Sequence, residues 1–122
     1  MEFLTPGQFK VLSNPGVRSE QLISPHNSDS KRLTITRVTV GPGAVQPRHH
    51  HPASEQTWLA IAAGRGELLL ADERRHAFAA GEVVRFADGE THGFENTGAE
   101  AFVYLAVTSP PINFSSAYAE EK

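Results

Sequence analysis

Three consecutive histidines, His49-His50-His51, stand just before Pro52-Ala53-Ser54 and the polar pair Glu55-Gln56. In extended backbone, residues two apart share a side, so His49 and His51 aim at one point while His50 turns away. A further histidine, His92, follows the Asp88-Gly89 turn at the start of another strand-like segment. Neutral imidazole is the commonest side-chain metal ligand and accepts Fe, Mn, Ni, Zn or Cu. An oxygen from Glu55 or Gln56 would complete a four-donor set and leave coordination positions open to water or substrate. Read from the residues alone, the run is either a site for one divalent transition-metal ion or a solvated loop. The choice of oxygen matters. A carboxylate neutralises part of the ion's charge, whereas a glutamine carbonyl leaves it whole. The chain has no cysteine, which excludes disulfides, thiolate ligands and a thiol nucleophile.

Short apolar or alternating segments must position these groups. Residues 33–40, LTITRVTV, are rich in β-branched side chains and predict a strand with one buried side. Residues 58–63, 67–71, 75–79, 82–86 and 101–107 predict further strands, separated by turn signals that include Gly64-Arg65-Gly66, Asp72-Glu73-Arg74, Asp88-Gly89 and Asn96-Thr97-Gly98. No segment has a helical period. Closely spaced short strands predict an all-β sandwich or closed barrel. With 122 residues the chain is read as one domain over 1–122, the barrel occupying 31–110. Pro6, Pro15 and Pro25 divide the first thirty residues into pieces that suit edge strands or a wrapping arm. Residues 111–122 form a tail, in which 114–122 is either a short helix or a frayed end.

The net charge of −3 and the scattered placement of 11 Lys and Arg predict no nucleic-acid partner. No apolar run reaches membrane-spanning length and the first residues lack the pattern of a signal peptide, so a cytoplasmic protein without a membrane partner is expected.

Two spaced patterns join these observations. Gly43 is followed by five residues, His49-His50-His51, then Glu55 after three more residues or Gln56 after four, and later Gly64. Gly81, Gly89, His92 and Asn96 form the second pattern, with Ala87 where a proline would complete it. Together they resemble the two signature motifs of the cupin superfamily. The resemblance implies a double-stranded β-helix, the RmlC-like jelly-roll barrel, with a metal held by His49, His51, His92 and one oxygen ligand. Gly64 comes late for the first motif, and a β-bulge near residues 57–60 is the expected adjustment. The chain resembles small cupins of the pectin-degradation-protein type, which show His-x-His, four residues, Gln, a later His and a Pro-Pro element. His49, His51, Gln56, His92 and Pro110-Pro111 match that order. The resemblance favours Gln56 as oxygen ligand, with Glu55 as the alternative. In that subgroup an Asp, a Phe and an Arg act on the sugar acid. The matching positions here are Ala106, Thr108 and Ile112, so the same uronate chemistry is not expected.

The superfamily includes dioxygenases, isomerases and lyases, and also non-catalytic domains that bind or sense a small molecule. Both readings remain open, and no catalytic residue is assigned. Cupins of this size usually pair, which implies a homodimer through the N-terminal strands and outer sheet faces. Alternation places Phe94 on the side of His92, inside the barrel. Trp58, Phe86, Phe102 and Tyr104 are expected as core and cavity wall, and His26 and His76 as solvent-facing. Arg37 faces either solvent or an anionic substrate. If Gln56 points inward Glu55 points out, which removes it as an internal base.

Overall fold

A computed structural model describes residues 1–62 and 64–114 and the strand pair at 119–120. The strands are β1 (Lys10–Asn14), β2 (Val17–Ile23), β3 (Thr34–Val40), β4 (Val45–His49), β5 (Glu55–Ala60), β6 (Arg65–Leu69), β7 (Arg75–Ala79), β8 (Val83–Phe86), β9 (His92–Glu95), β10 (Phe102–Ser109) and β11 (Ala119–Glu120). They form a seven-stranded sheet ordered β11-β1-β2-β3-β10-β5-β8 and a four-stranded sheet ordered β4-β9-β6-β7, with every pair antiparallel. This is the jelly-roll barrel, with its core between the sheets.

Period-two alternation decides which side chains enter the barrel. In β3, Thr34, Thr36, Val38 and Val40 are buried while Ile35, Arg37 and Thr39 face outward. In β5, Gln56, Trp58 and Ala60 point in. The inner face of the larger sheet is graded along the strands. At one end Val17, Val40 and Phe102 lie side by side, and at the other Thr34, Thr108 and Gln56 do. The apolar end packs against Leu68, Phe78 and Phe94 of the smaller sheet, where Phe94 and Phe102 have ring centroids 4.4 Å apart. Burial of each such side chain contributes about 1.5–3 kcal/mol. The polar end faces His49 and His92, which are cross-strand partners on β4 and β9.

Three expectations are corrected. β2 pairs on both sides, with β1 and β3, so residues 17–23 form an interior strand rather than an edge or arm. Pro15 sits in the β1–β2 turn and Pro25 follows β2, so both prolines punctuate the hairpin without interrupting its ladders. The bulge expected at 57–60 is absent: β5 keeps unbroken register with β10 and β8 on its two sides. A bulge there would disrupt two ladders at once. Gly64 instead falls in the connection between β5 and β6, and register shifts lie in the β4–β9 pair between Gln46 and His49 and in the β2–β3 pair between Gln21 and Ile23. Finally, Ala119–Glu120 pairs with β1, while the rest of the tail expectation for 115–118 and 121–122 lies outside the described residues.

Candidate metal centre

β4 ends at His49, and the chain turns through residues 50–54 before β5. Gly89 anchors that turn. Its N–H donates to the His51 carbonyl at 2.9 Å, and its φ of 72°, in the left-handed region, suits glycine. The second motif thereby holds the first in place. The same turn presents the Glu90 carbonyl to His92 Nδ1 at 2.9 Å. Asn96 closes the far side: its amide donates to the Val40 and Glu100 carbonyls at 2.9 and 2.7 Å and accepts from the Gly98 N–H. Asn96 is therefore a structural tie between the sheets.

His49, His51 and His92 converge, with one ring nitrogen from each lying within 4.8 Å of the others. Ring centroids are 4.3 Å apart for His49 and His92 and 5.0 Å for His49 and His51. His50 is exposed, as alternation required. His49 Nδ1 lies 2.7 Å from the Pro47 carbonyl. A carbonyl only accepts, so Nδ1 of His49 and of His92 each carries the proton and leaves a lone pair on Nε2. His51 Nε2 and His92 Nε2 are buried without a hydrogen-bond partner. Two buried, unpartnered imidazole nitrogens this close together would be costly in an ordinary core, and a bound cation satisfies both. The donor set thus fits a divalent transition metal.

All three histidines are held neutral. Burial lowers the His49 pKa, lowers that of His51 to about 4 and that of His92 to about 3, with neighbouring imidazoles adding to all three shifts. His92 is also clamped by rings, stacked on Phe86 at 4.4 Å and meeting Trp58 edge-on at 5.6 Å.

Gln56 and Glu55 go to opposite sides. Gln56 is buried, and its amide orientation is fixed by a chain of two bonds. Trp58 Nε1 donates to Gln56 Oε1 at 2.6 Å and Gln56 Nε2 donates to Thr108 Oγ1 at 2.7 Å. Indole is only a donor, so the amide oxygen must face Trp58, and its second lone pair remains. Gln56 lines the same cavity as His49 and His51. Glu55 lies on the outer face, paired with Arg85 of β8, and stays apart from the histidine cluster. The link from Trp58 through Gln56 to Thr108 carried no sequence signal, since Thr108 is 52 residues from Gln56.

The remaining candidates are placed as follows. Arg37 forms a two-bond pair with Glu20 on the outer surface, at 2.9 and 2.8 Å. His26 and His76 are exposed. Phe94 is inside the barrel but packs on Phe78 and Phe102, deeper than the histidines. Ala106 and Thr108 are buried within the barrel.

A family model described as a cupin domain matches residues 36–108. The chain belongs to the cupin family. Among solved structures, this cupin is similar to KdgF from a Halomonas species, with 17% identity, a TM-score of 0.74 and coverage of 91% of this chain and 96% of that one. It also resembles the polyketide cyclase RemF from Streptomyces resistomycificus, with 23% identity, a TM-score of 0.74 and coverage of 89% and 79%. A predicted oxalate decarboxylase from Thermotoga maritima gives 21% identity, a TM-score of 0.74 and coverage of 89% and 99%. At these identities the likeness shows the shared fold, and the reaction must be argued from the site. A sequence comparison with curated proteins finds no match. Among the described residues, no helix is long and apolar enough to cross a membrane.

Proposed function

We propose that this cupin binds one divalent transition-metal ion through His49, His51, His92 and Gln56 and acts on a small organic molecule in the barrel cavity. The observation that carries the reading is the pair of buried, unpartnered Nε2 atoms on His51 and His92 beside a third imidazole oriented by a backbone carbonyl. The ion would supply Lewis acidity or oxygen activation of the dioxygenase, isomerase or lyase type. The protein's part is to orient and enclose. Pro47 and Glu90 carbonyls fix two imidazoles, Trp58 and Thr108 fix the Gln56 amide, and Phe86 and Trp58 hold the His92 ring. Relatives described as a polyketide cyclase, a predicted oxalate decarboxylase and an ectoine synthase support an enzymatic reading for a barrel of this shape.

A non-catalytic role in binding or sensing a small molecule is the second reading. Its support is the cavity itself, whose described lining includes no Asp or Glu to move a proton. A cytoplasmic homodimer belongs to the proposal as well, supported by the exposed apolar side chains Leu59, Val83 and Val107 on the outer face of the larger sheet.

The chain's single tryptophan, Trp58, gives a direct test. Untagged protein stripped of metal and titrated with Ni(II) or Co(II) should show quenching of Trp58 fluorescence that saturates at one ion per chain. His51→Ala and His92→Ala should abolish it while remaining folded by circular dichroism. Equal stoichiometry in wild type and both variants would sink the proposed site. Turnover against a panel of catechols, sugar acids and thiols, set against thermal shifts with the same panel, then separates enzyme from sensor.

A further inference from the structure

The cavity beside the histidines has a volume of about 170 Å³, close to that of an apolar cavity that takes a single benzene molecule. Its described walls hold no Asp, Glu, Lys or Arg. The charged residues adjacent in sequence to the lining already have partners elsewhere: Glu55 with Arg85, Glu20 with Arg18 and Arg37, and Arg48 with Glu73 and the Leu70 carbonyl. Hydroxyl and amide side chains line it instead, among them Ser19 and Thr36, together with Trp58 and Tyr104, whose rings stack at 4.1 Å with an interplanar angle of 19°.

Charge balance then constrains the ligand. Imidazoles and a carboxamide bring no charge, so a divalent ion held by His49, His51, His92 and Gln56 keeps its full +2 in a low-dielectric cavity. With no carboxylate in the described walls, a ligand gains by bringing the compensating negative charge to the metal itself. That molecule's ionised oxygen must sit at the metal, because no lysine or arginine elsewhere in the described cavity can receive an anion. A second charged group would meet no counter-charge in the described walls, which is unfavourable. Trp58 and Tyr104 supply the aromatic part of the wall, and Ser19 and Thr36 offer neutral hydrogen bonds.

We infer that the cavity selects an oxygen chelator of about one ring in size, whose ionisable oxygens meet the metal and whose remainder carries no charge. This rests on the metal site proposed above. It sets aside sugar acids, phosphorylated compounds and amines that carry a charged group at their far end.

The test uses three matched probes on the Zn(II)-loaded full chain, after metal content has been measured. Catechol has the chelating oxygens and an uncharged ring. 1,2-Dimethoxybenzene keeps the shape but cannot ionise. 3,4-Dihydroxybenzoate adds a distal carboxylate. Calorimetric titration should give catechol binding to the loaded protein and none to the metal-free protein. It should give no binding of the dimethoxy compound, and binding of the benzoate at least about tenfold weaker than that of catechol. Asn14→Arg, which adds a cation to the cavity lining, should bring the benzoate back toward the catechol affinity. Protein that takes up no metal would defeat the metal proposal itself. Protein that holds one ion per chain but ignores catechol, or binds the benzoate as tightly as catechol, would overturn the inference about substrate class and leave the metal site standing.

Discussion

Gly93 lies between His92 and Phe94, opposite the register shift of β4, and a single methyl group there should disturb the site more than its size suggests. A Cβ built at Gly93 meets the Gln46 carbonyl oxygen at 2.6 Å and the carbon and oxygen of Pro47 at 2.9 Å. Neighbours at that distance are backbone and cannot rotate away. An ordinary carbon contact is about 3.5–4 Å, so Gly93→Ala must push β4 and β9 apart by several tenths of an ångström to about one. Such overpacking costs about 1–3 kcal/mol, and for a domain of this size each kcal/mol lowers Tm by roughly 3–6 °C. The displaced segment carries Pro47, whose carbonyl orients His49, and His49 is the cross-strand partner of His92. Metal–ligand distances tolerate only about 0.2 Å, so the affinity for Zn(II) should fall by about 10–100-fold, the scale seen when supporting groups are lost. Chelator competition measures the affinity and differential scanning fluorimetry the Tm. Gly7→Ala is the control, because a Cβ there meets nothing within 4 Å. If Gly93→Ala matched wild type in both measurements, close approach of β4 and β9 would not be what sets the His49–His92 geometry.

Two further outcomes are expected. Gln56→Ala should weaken metal binding by about 10–100-fold, whereas Glu55→Gln should leave it within about twofold and cost at most about 1 kcal/mol for its exposed ion pair with Arg85; equal losses in a metal titration would contradict the assignment of Gln56. Metal-free protein should lose stability in acid. The His92 pKa is held near 3, against an ordinary value of 6.5, so its neutral burial is fully tolerated above about pH 6.5 and becomes a penalty as pH falls toward 3. At pH 5 that penalty is roughly 2 kcal/mol, with His51 adding in the same direction. Denaturant melts in metal-free buffer showing flat stability from pH 7 to 5 would refute it.

Much of this architecture was legible because strand alternation is a local property. The segment 75–79 was delimited correctly, and period two required Gln56 and Glu55 to face opposite ways, while which of them faces inward comes from the structure. The spacing of His49, His51 and His92 pointed to a shared site because the signature pattern encodes a three-dimensional convergence that composition does not. Three features escaped for physical reasons. Prolines report where a ladder cannot run, but at a turn they cost it nothing, so Pro15 and Pro25 made an interior hairpin look peripheral. An extra residue can be absorbed in a strand or in a loop, and only the ladders on both sides of β5 decide which. The bonds from Trp58 through Gln56 to Thr108 depend on register between β5 and β10, which no local reading supplies.

The graded interior of the larger sheet separates what keeps this barrel folded from what gives it a job. Val17, Val40 and Phe102 belong to the clustered core, whereas Thr34, Thr108 and Gln56 contribute little apolar area to it. Replacements among the lining positions, Thr36 above all, can therefore redraw the shape and polarity of the chamber with little loss of apolar core, whereas Ser19 is tied to Gln21 by a buried hydrogen bond. A scaffold arranged this way is free to acquire new ligands by small steps, because the half that explores is not the half that holds.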